Sequence, residues 1–180
     1  MPDVPNIKLR EFPPAPSNTG AAKHAYAELD VTTNFSFLHG ASHPDELVFR
    51  AAEFGYRAIA ITDRNSLAGV VRAHDAVRQV TEQGGVAPRL VIGARLTFAD
   101  APDVLVYPTD RPAYGRLCRL LTLGRRRAAK GECLLYLQDL LDHNTGLLAA
   151  VVANDEKDDR SPRITGVSPV RSRYSPDARA

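Results

Sequence analysis

Cysteine, net charge and long apolar runs are all scarce in this chain, and each shortage closes off a class of protein. Its two cysteines, Cys118 and Cys133, lack metal-type spacing. A disulfide framework is therefore not expected, and a reducing cytoplasm fits best. The formal net charge is +2, too small to point to nucleic-acid binding by itself. No stretch approaches the length of a membrane span, and residues 1–18 are proline-rich without the apolar core of a secretion signal. Gly84-Gly85 is loop punctuation; there is no G-x-G-x-x-G or P-loop to cradle a nucleotide. Internal repeats and coiled-coil heptads are also missing. The rest is ordinary for a globular protein: 180 residues, 44% hydrophobic and 24% charged, are enough for one domain with a real core.

Along the chain, residues 1–23 read as a flexible lead in which Pro2, Pro5, Pro13, Pro14 and Pro16 sit among polar residues. Residues 24–153 carry the periodic material. A strand is expected over 26–32. A helix follows, with Ser42 as N-cap, Pro44 and Asp45 in its first turn and Gly55 at its end. Residues 57–62 are apolar enough for a strand covered on both faces. Helical spacing of Leu67, Val70, Val71, His74 and Val77 predicts a helix over 66–82. Strand material recurs at 89–98 and 103–107. A helix is expected over 111–123, a short one over 137–142 and a strand over 147–152. The order β-α-β-α-β-β-α-α-β points to an α/β fold with parallel strands and outer helices. Residues 154–180 hold charges, prolines and little apolar material, and are expected to be disordered.

Two segments place polar residues after an apolar strand: residues 30–42 and residues 58–69. That layout puts side chains at the carboxyl ends of strands, where α/β folds keep their chemistry.

Many short segments carry a resemblance to a known family. They include Tyr26-Ala27-Glu28-Leu29, Asn34-Phe35-Ser36-Phe37-Leu38, Gly40-Ala41-Ser42-His43-Pro44 and Ala60-Ile61-Thr62-Asp63. Ser66 to His74, Ile92 to Leu96, Tyr107 to Arg111 and Tyr114 to Arg127 extend it. Together they resemble the N-terminal PHP domain (polymerase and histidinol phosphatase) of bacterial C-family DNA polymerases, and more narrowly the error-prone, translesion branch. The resemblance runs from residue 26 to about 153. It implies a PHP-type, distorted TIM-like β/α barrel, here incomplete. It also implies a parent enzyme that extends DNA with magnesium held in a palm domain, and whose body, DNA and translesion accessory proteins are the natural partners. Since the resemblance stops near Asn154, a truncated or frameshifted product with a non-native tail is expected.

Metal-binding members of that family open with His-x-His on the first strand, continue with Thr-Asp-His and place a glutamate after an Ile-Gly pair. The matching positions here are Asp30 and Thr32, then Thr62-Asp63-Arg64, then Arg95. Arginine keeps its proton and offers no lone pair, so it cannot ligate a metal. Asp30, Thr32, Asp63, Arg64 and Arg95 are thus read as relics of a metal site. No catalytic residue, no metal and no cofactor is assigned to the chain itself. Arg64 and Arg95 are expected to supply the positive charge that metals once supplied, with Asp30 and Asp63 as partners.

Two other readings compete. A metal-dependent phosphoesterase or nuclease would need ligands from Asp30, His39, Asp63 and Asp103. A docking module would use the basic face made by Arg116, Arg119, Arg125, Arg126, Arg127 and Lys130 to contact DNA or protein. The plainer account of those cations is that they complement a helix C-terminus. His39, His43, His74 and His143 read as solvated, capping or packed residues, and Cys118 as core.

Overall fold

A computed structural model describes residues 26–153; the expected lead at 1–23 and tail at 154–180 lie outside the described residues. The chain forms β1 (Ala27–Val31), α1 (Pro44–Glu53), β2 (Ala58–Ile61), α2 (Val70–Glu82), β3 (Arg89–Ile92), β4 (Ala94–Leu96), β5 (Val104–Pro108), α3 (Arg111–Arg127), α4 (Leu137–His143) and β6 (Leu147–Val151). The expected order holds except that the strand stretch expected over 89–98 is split into two strands, β3 and β4, and several boundaries shift.

The helix boundaries have local causes. Pro44 disfavours a helical residue before it, and His43 is extended at φ −69°, ψ 149°, so α1 starts at Pro44 with His43, not Ser42, as its cap. The His43 N–H donates to Glu46 Oε2 (3.1 Å), the return half of a capping box. Gly55, at φ +68°, closes the helix in the left-handed region that glycine tolerates. The helix expected from residue 66 begins only at Val70. Ser66 Oγ accepts from the Ala68 N–H (3.1 Å), holding a turn there, and Leu67 packs against the second core instead of the α2 stripe.

β1, β2 and β3 pair in parallel, in that order. All of β2 is buried. Ile59 and Ile61 face α1 and α2, where they meet Val48, Phe49, Ala73, Ala76 and Val80. Burying a side chain of that size contributes about 1.5–3 kcal/mol relative to leaving it exposed.

The second sheet corrects the expectation of parallel strands throughout. β4, β5 and β6 pair antiparallel. The link between β4 and β5 is too short for a crossover helix, which needs a dozen or more residues. Two helices, not one, separate β5 from β6, and the chain re-enters with Leu147 opposite Pro108 at the end of β5. α3 and α4 cover this sheet through Leu117, Leu120, Leu121 and Leu140.

One strand run joins the sheets. β3 ends, Gly93 intervenes and β4 begins in the other sheet. Gly93 N–H still donates to Ile61 O (3.1 Å), and Arg95 N–H to Asp63 O (3.1 Å). A side chain at Gly93 has no room: a Cβ there would lie 2.8 Å from the Tyr107 ring and 3.0 Å from Thr62 Cγ2. Tyr107 in turn donates to Leu29 O (2.6 Å), tying β5 back to β1. The strands described form two open sheets, not a closed barrel. Their outer strands, β1 and β6, leave Leu29, Leu148 and Val151 exposed.

Candidate functional site

Strand alternation sorts the polar residues after β2 onto two faces. Asp63 continues the Ile59–Ile61 parity and lies on the helix side. Thr62 and Arg64, one residue to either side, turn to the opposite, helix-free face. Two separate polar clusters result.

On the helix side, Asp63 is fully buried, as is Thr33. Asp63 Oδ1 accepts from the Thr33 N–H (2.9 Å) and from Ser36 Oγ (2.7 Å). Thr33 Oγ1 lies 2.9 Å from both carboxylate oxygens. Ser36 Oγ also accepts from the Arg64 N–H (2.9 Å). The network fixes the loop between β1 and α1, whose tip presents Phe37 and Leu38 to solvent. Leu38 sits at φ +65°, an unusual conformation for a branched residue. Gly69 makes the close approach possible, since a Cβ there would lie 2.6 Å from Asp63 Oδ2.

On the helix-free face, Asp103 receives both guanidinium groups: Arg95 Nε at 2.8 Å and Arg64 Nη2 at 3.2 Å. Arg95 Nη1 reaches Asp30 Oδ2 at 3.7 Å, and Asp30 Oδ1 accepts from Thr62 Oγ1 (2.9 Å). Two cations meet two carboxylates, so the formal charges cancel. Tyr107 lies beside this cluster; burial, reinforced by the charges of Asp30 and Glu28, pushes its hydroxyl up to about 12.

The expected partnership of Asp63 with the arginines is corrected here. Asp63 is held by hydroxyls and a backbone N–H, because strand period two turns it away from Arg64. Its place is taken by Asp103, which the sequence suggested only as an alternative metal ligand. Thr32 is half-buried and joins none of the cluster's bonds. His39 belongs to the β1–α1 loop, and His43 Nδ1 lies 2.9 Å from Asn34 Nδ2. Among the described residues, no group of three or more His, Cys, Asp or Glu could hold a metal ion. Guanidinium groups stand at two of the positions where the resemblance implies ligands, and a guanidinium cannot itself coordinate a metal.

The basic face divides in the same way. Arg116 Nε donates to Thr145 O (2.7 Å), and Arg125 Nη2 to Asn65 O (3.0 Å). Arg127 pairs with Asp139, whose carboxyl is held below its usual range chiefly by that hydrogen bond. These three cations brace the fold. Arg119, Arg126 and Lys130 are exposed. A shallow groove of about 760 Å³ runs along α3, lined by Cys118, Arg119, Thr122, Leu123, Arg126, Arg127 and His143. Cys118 is half-buried at its wall and does not belong to the core. Cys133 packs against Gly124, and burial raises its thiol above the usual range.

Thr33 and Ser36 are the site residues that sequence reasoning missed, and Asp103 was named there in another role. Only the clustering of hydroxyls in residues 32–36 hinted at the first two.

The PHP domain family matches residues 28–163. The match continues ten residues beyond 153, where the resemblance read from the sequence ended. An error-prone DNA polymerase of Rhodopirellula baltica is 50% identical over 131 residues, which span 73% of this chain and 11% of that protein. One from Rhodopseudomonas palustris strain BisB5 is 59% identical over 124 residues, 68% of this chain and 11% of its own length. One from Caulobacter vibrioides is 54% identical over 135 residues, 74% of this chain and 12% of that protein. This chain thus spans about a tenth of the length of the curated relatives it matches.

Proposed function

The chain belongs to the PHP domain family, and from that premise we propose that it is the PHP module of an error-prone DNA polymerase, structural rather than catalytic, serving damage-tolerant DNA synthesis. Identity of 50–59% to polymerases bearing that name supports the polymerase reading. The non-catalytic reading rests on one observation: Arg64 and Arg95 stand at ligand positions and both grip Asp103. The cluster does by ion pairing what a metal cluster would do by ligation, cross-linking strand ends from both sheets. No cofactor is assigned to these residues; magnesium would belong to the palm of a whole polymerase. The two open sheets are proposed to be part of a distorted β/α barrel, with the rest of a polymerase body as partner and the cytoplasm as location. No helix among the described residues is long and apolar enough to cross a membrane.

Metal analysis and turnover test this reading together. The chain is incubated with manganese or zinc, desalted, analysed for metal and assayed against a phosphodiester. No stoichiometric metal and no turnover are expected. Metal retained at one or more ions per chain, with hydrolysis abolished by a chelator, would falsify the structural role.

A second reading has its own observation. Arg119, Arg126 and Lys130 are exposed and have no hydrogen-bond or ion-pair partner among the described residues, which favours docking of an anionic surface on and just after α3.

A further inference from the structure

We propose that the groove along α3 docks an acidic, amphipathic helix of a partner protein. This deepens the docking reading and rests on it. Cys118, Thr122 and Leu123 give the groove an uncharged part of its lining, and no carboxylate lines it. Arg119 and Arg126 stand along it, and no hydrogen bond or ion pair within the described residues neutralises either guanidinium. The two lie seven positions apart on one helix, hence two turns and about 10.5 Å. A partner helix laid alongside has the same rise per residue. Carboxylates seven residues apart on it meet both arginines, and an apolar residue three or four positions from the first falls over Thr122 and Leu123.

Nucleic acid fits less well. Binding driven by phosphate contacts scales with the number of cations engaged. Half of the basic residues on this face are already spent on Thr145, Asn65 and Asp139. A phosphate backbone also has no use for the apolar Leu123 side chain in the lining.

The test uses the full chain and fluorescence anisotropy. One probe is a fluorescein-labelled helical peptide of about 16 residues, with glutamates at seven-residue spacing and leucines between them. The same peptide with lysine for glutamate and a labelled single-stranded oligonucleotide are run beside it. The acidic peptide is expected to bind, with the lysine version at least about tenfold weaker. Arg119→Glu combined with Arg126→Glu should weaken the acidic peptide about tenfold or more, whereas the exposed Arg89→Glu should leave it unchanged. Both positions are exposed, and the milder pair Arg119→Gln and Arg126→Gln repeats the test if the reversed charges unsettle the fold. Failure of the acidic peptide to bind, or binding indifferent to both pairs, overturns the proposal. If only the oligonucleotide binds and depends on Arg119 and Arg126, the docking reading survives and the helix does not. If neither probe binds, both fall.

Discussion

Asp63 and Asp103 are carboxylates near neighbouring strand ends, yet they are satisfied in opposite ways. Asp63 is sealed from water and accepts only from Thr33 and Ser36. Asp103 is part-exposed and held by two arginines. A buried carboxylate needs its hydrogen bonds complete, because an unpaired polar group in a dry site costs its full desolvation. A part-exposed ion pair keeps some hydration, gains less from pairing and is screened by salt. The first cluster therefore fixes a loop rigidly, while the second ties two sheets together more weakly. The helix-free face, where Arg64 and Arg95 stand, holds the weaker arrangement.

The largest effect should come from the sealed cluster. Asp63→Ala removes the acceptor of three donors and should destabilise the chain by about 3 kcal/mol. Denaturant unfolding measures this, and the loss should be nearly independent of salt. A loss below about 1 kcal/mol would mean that the network is not what holds the β1–α1 loop.

Next comes the junction between the sheets. Gly93→Ala pushes a methyl group into the Tyr107 ring and should cost about 2 kcal/mol. An unchanged melting temperature would show that the sheets are not held at the separation described.

The ion-pair cluster should be less demanding. Asp103→Asn leaves two guanidinium groups with a neutral partner and should cost about 1–2 kcal/mol. The difference should shrink as salt rises from about 0.05 to 1 M, unlike that of Asp63→Ala. Equal salt responses in the two variants would erase the contrast between the clusters.

Smallest is the bond between β5 and β1. Tyr107→Phe removes the donor to Leu29 O and should cost about 1 kcal/mol. The same hydroxyl sets an alkaline limit. Its acid dissociation is raised from 10.0 to about 12 in the folded chain, so the unfolded chain ionises first. The associated stability is whole below pH 10.0 and is lost as pH rises towards about 12. Ultraviolet titration should show a component ionising near pH 12 that Tyr107→Phe removes. Normal ionisation of every tyrosine would place Tyr107 in water.

Much of the layout was legible in order. The apolar run at 57–62 announced a strand covered on both faces, and helical spacing located α1 and α3. Where reading failed, non-local geometry had overridden local pattern. The residues from Ser66 to Gly69 fit a helical stripe, but the close approach of Gly69 to Asp63 and the pull of Leu67 into the other core delay α2. The antiparallel second sheet follows from loop length and the paired helices, which element order alone does not weigh.

For the site, the loss of two candidate ligands could be read directly, because an arginine offers no lone pair to a metal whatever the fold. The chemistry of each residue type, and the alternation that puts neighbours on opposite faces, belong to the sequence. The identity of the partners was decided by tertiary structure alone. Asp63 finds Thr33 and Ser36 across a loop, and Arg64 finds Asp103 across a 39-residue separation. Such pairings depend on where a bent strand run carries its side chains, and no local pattern of residues specifies that bend in space.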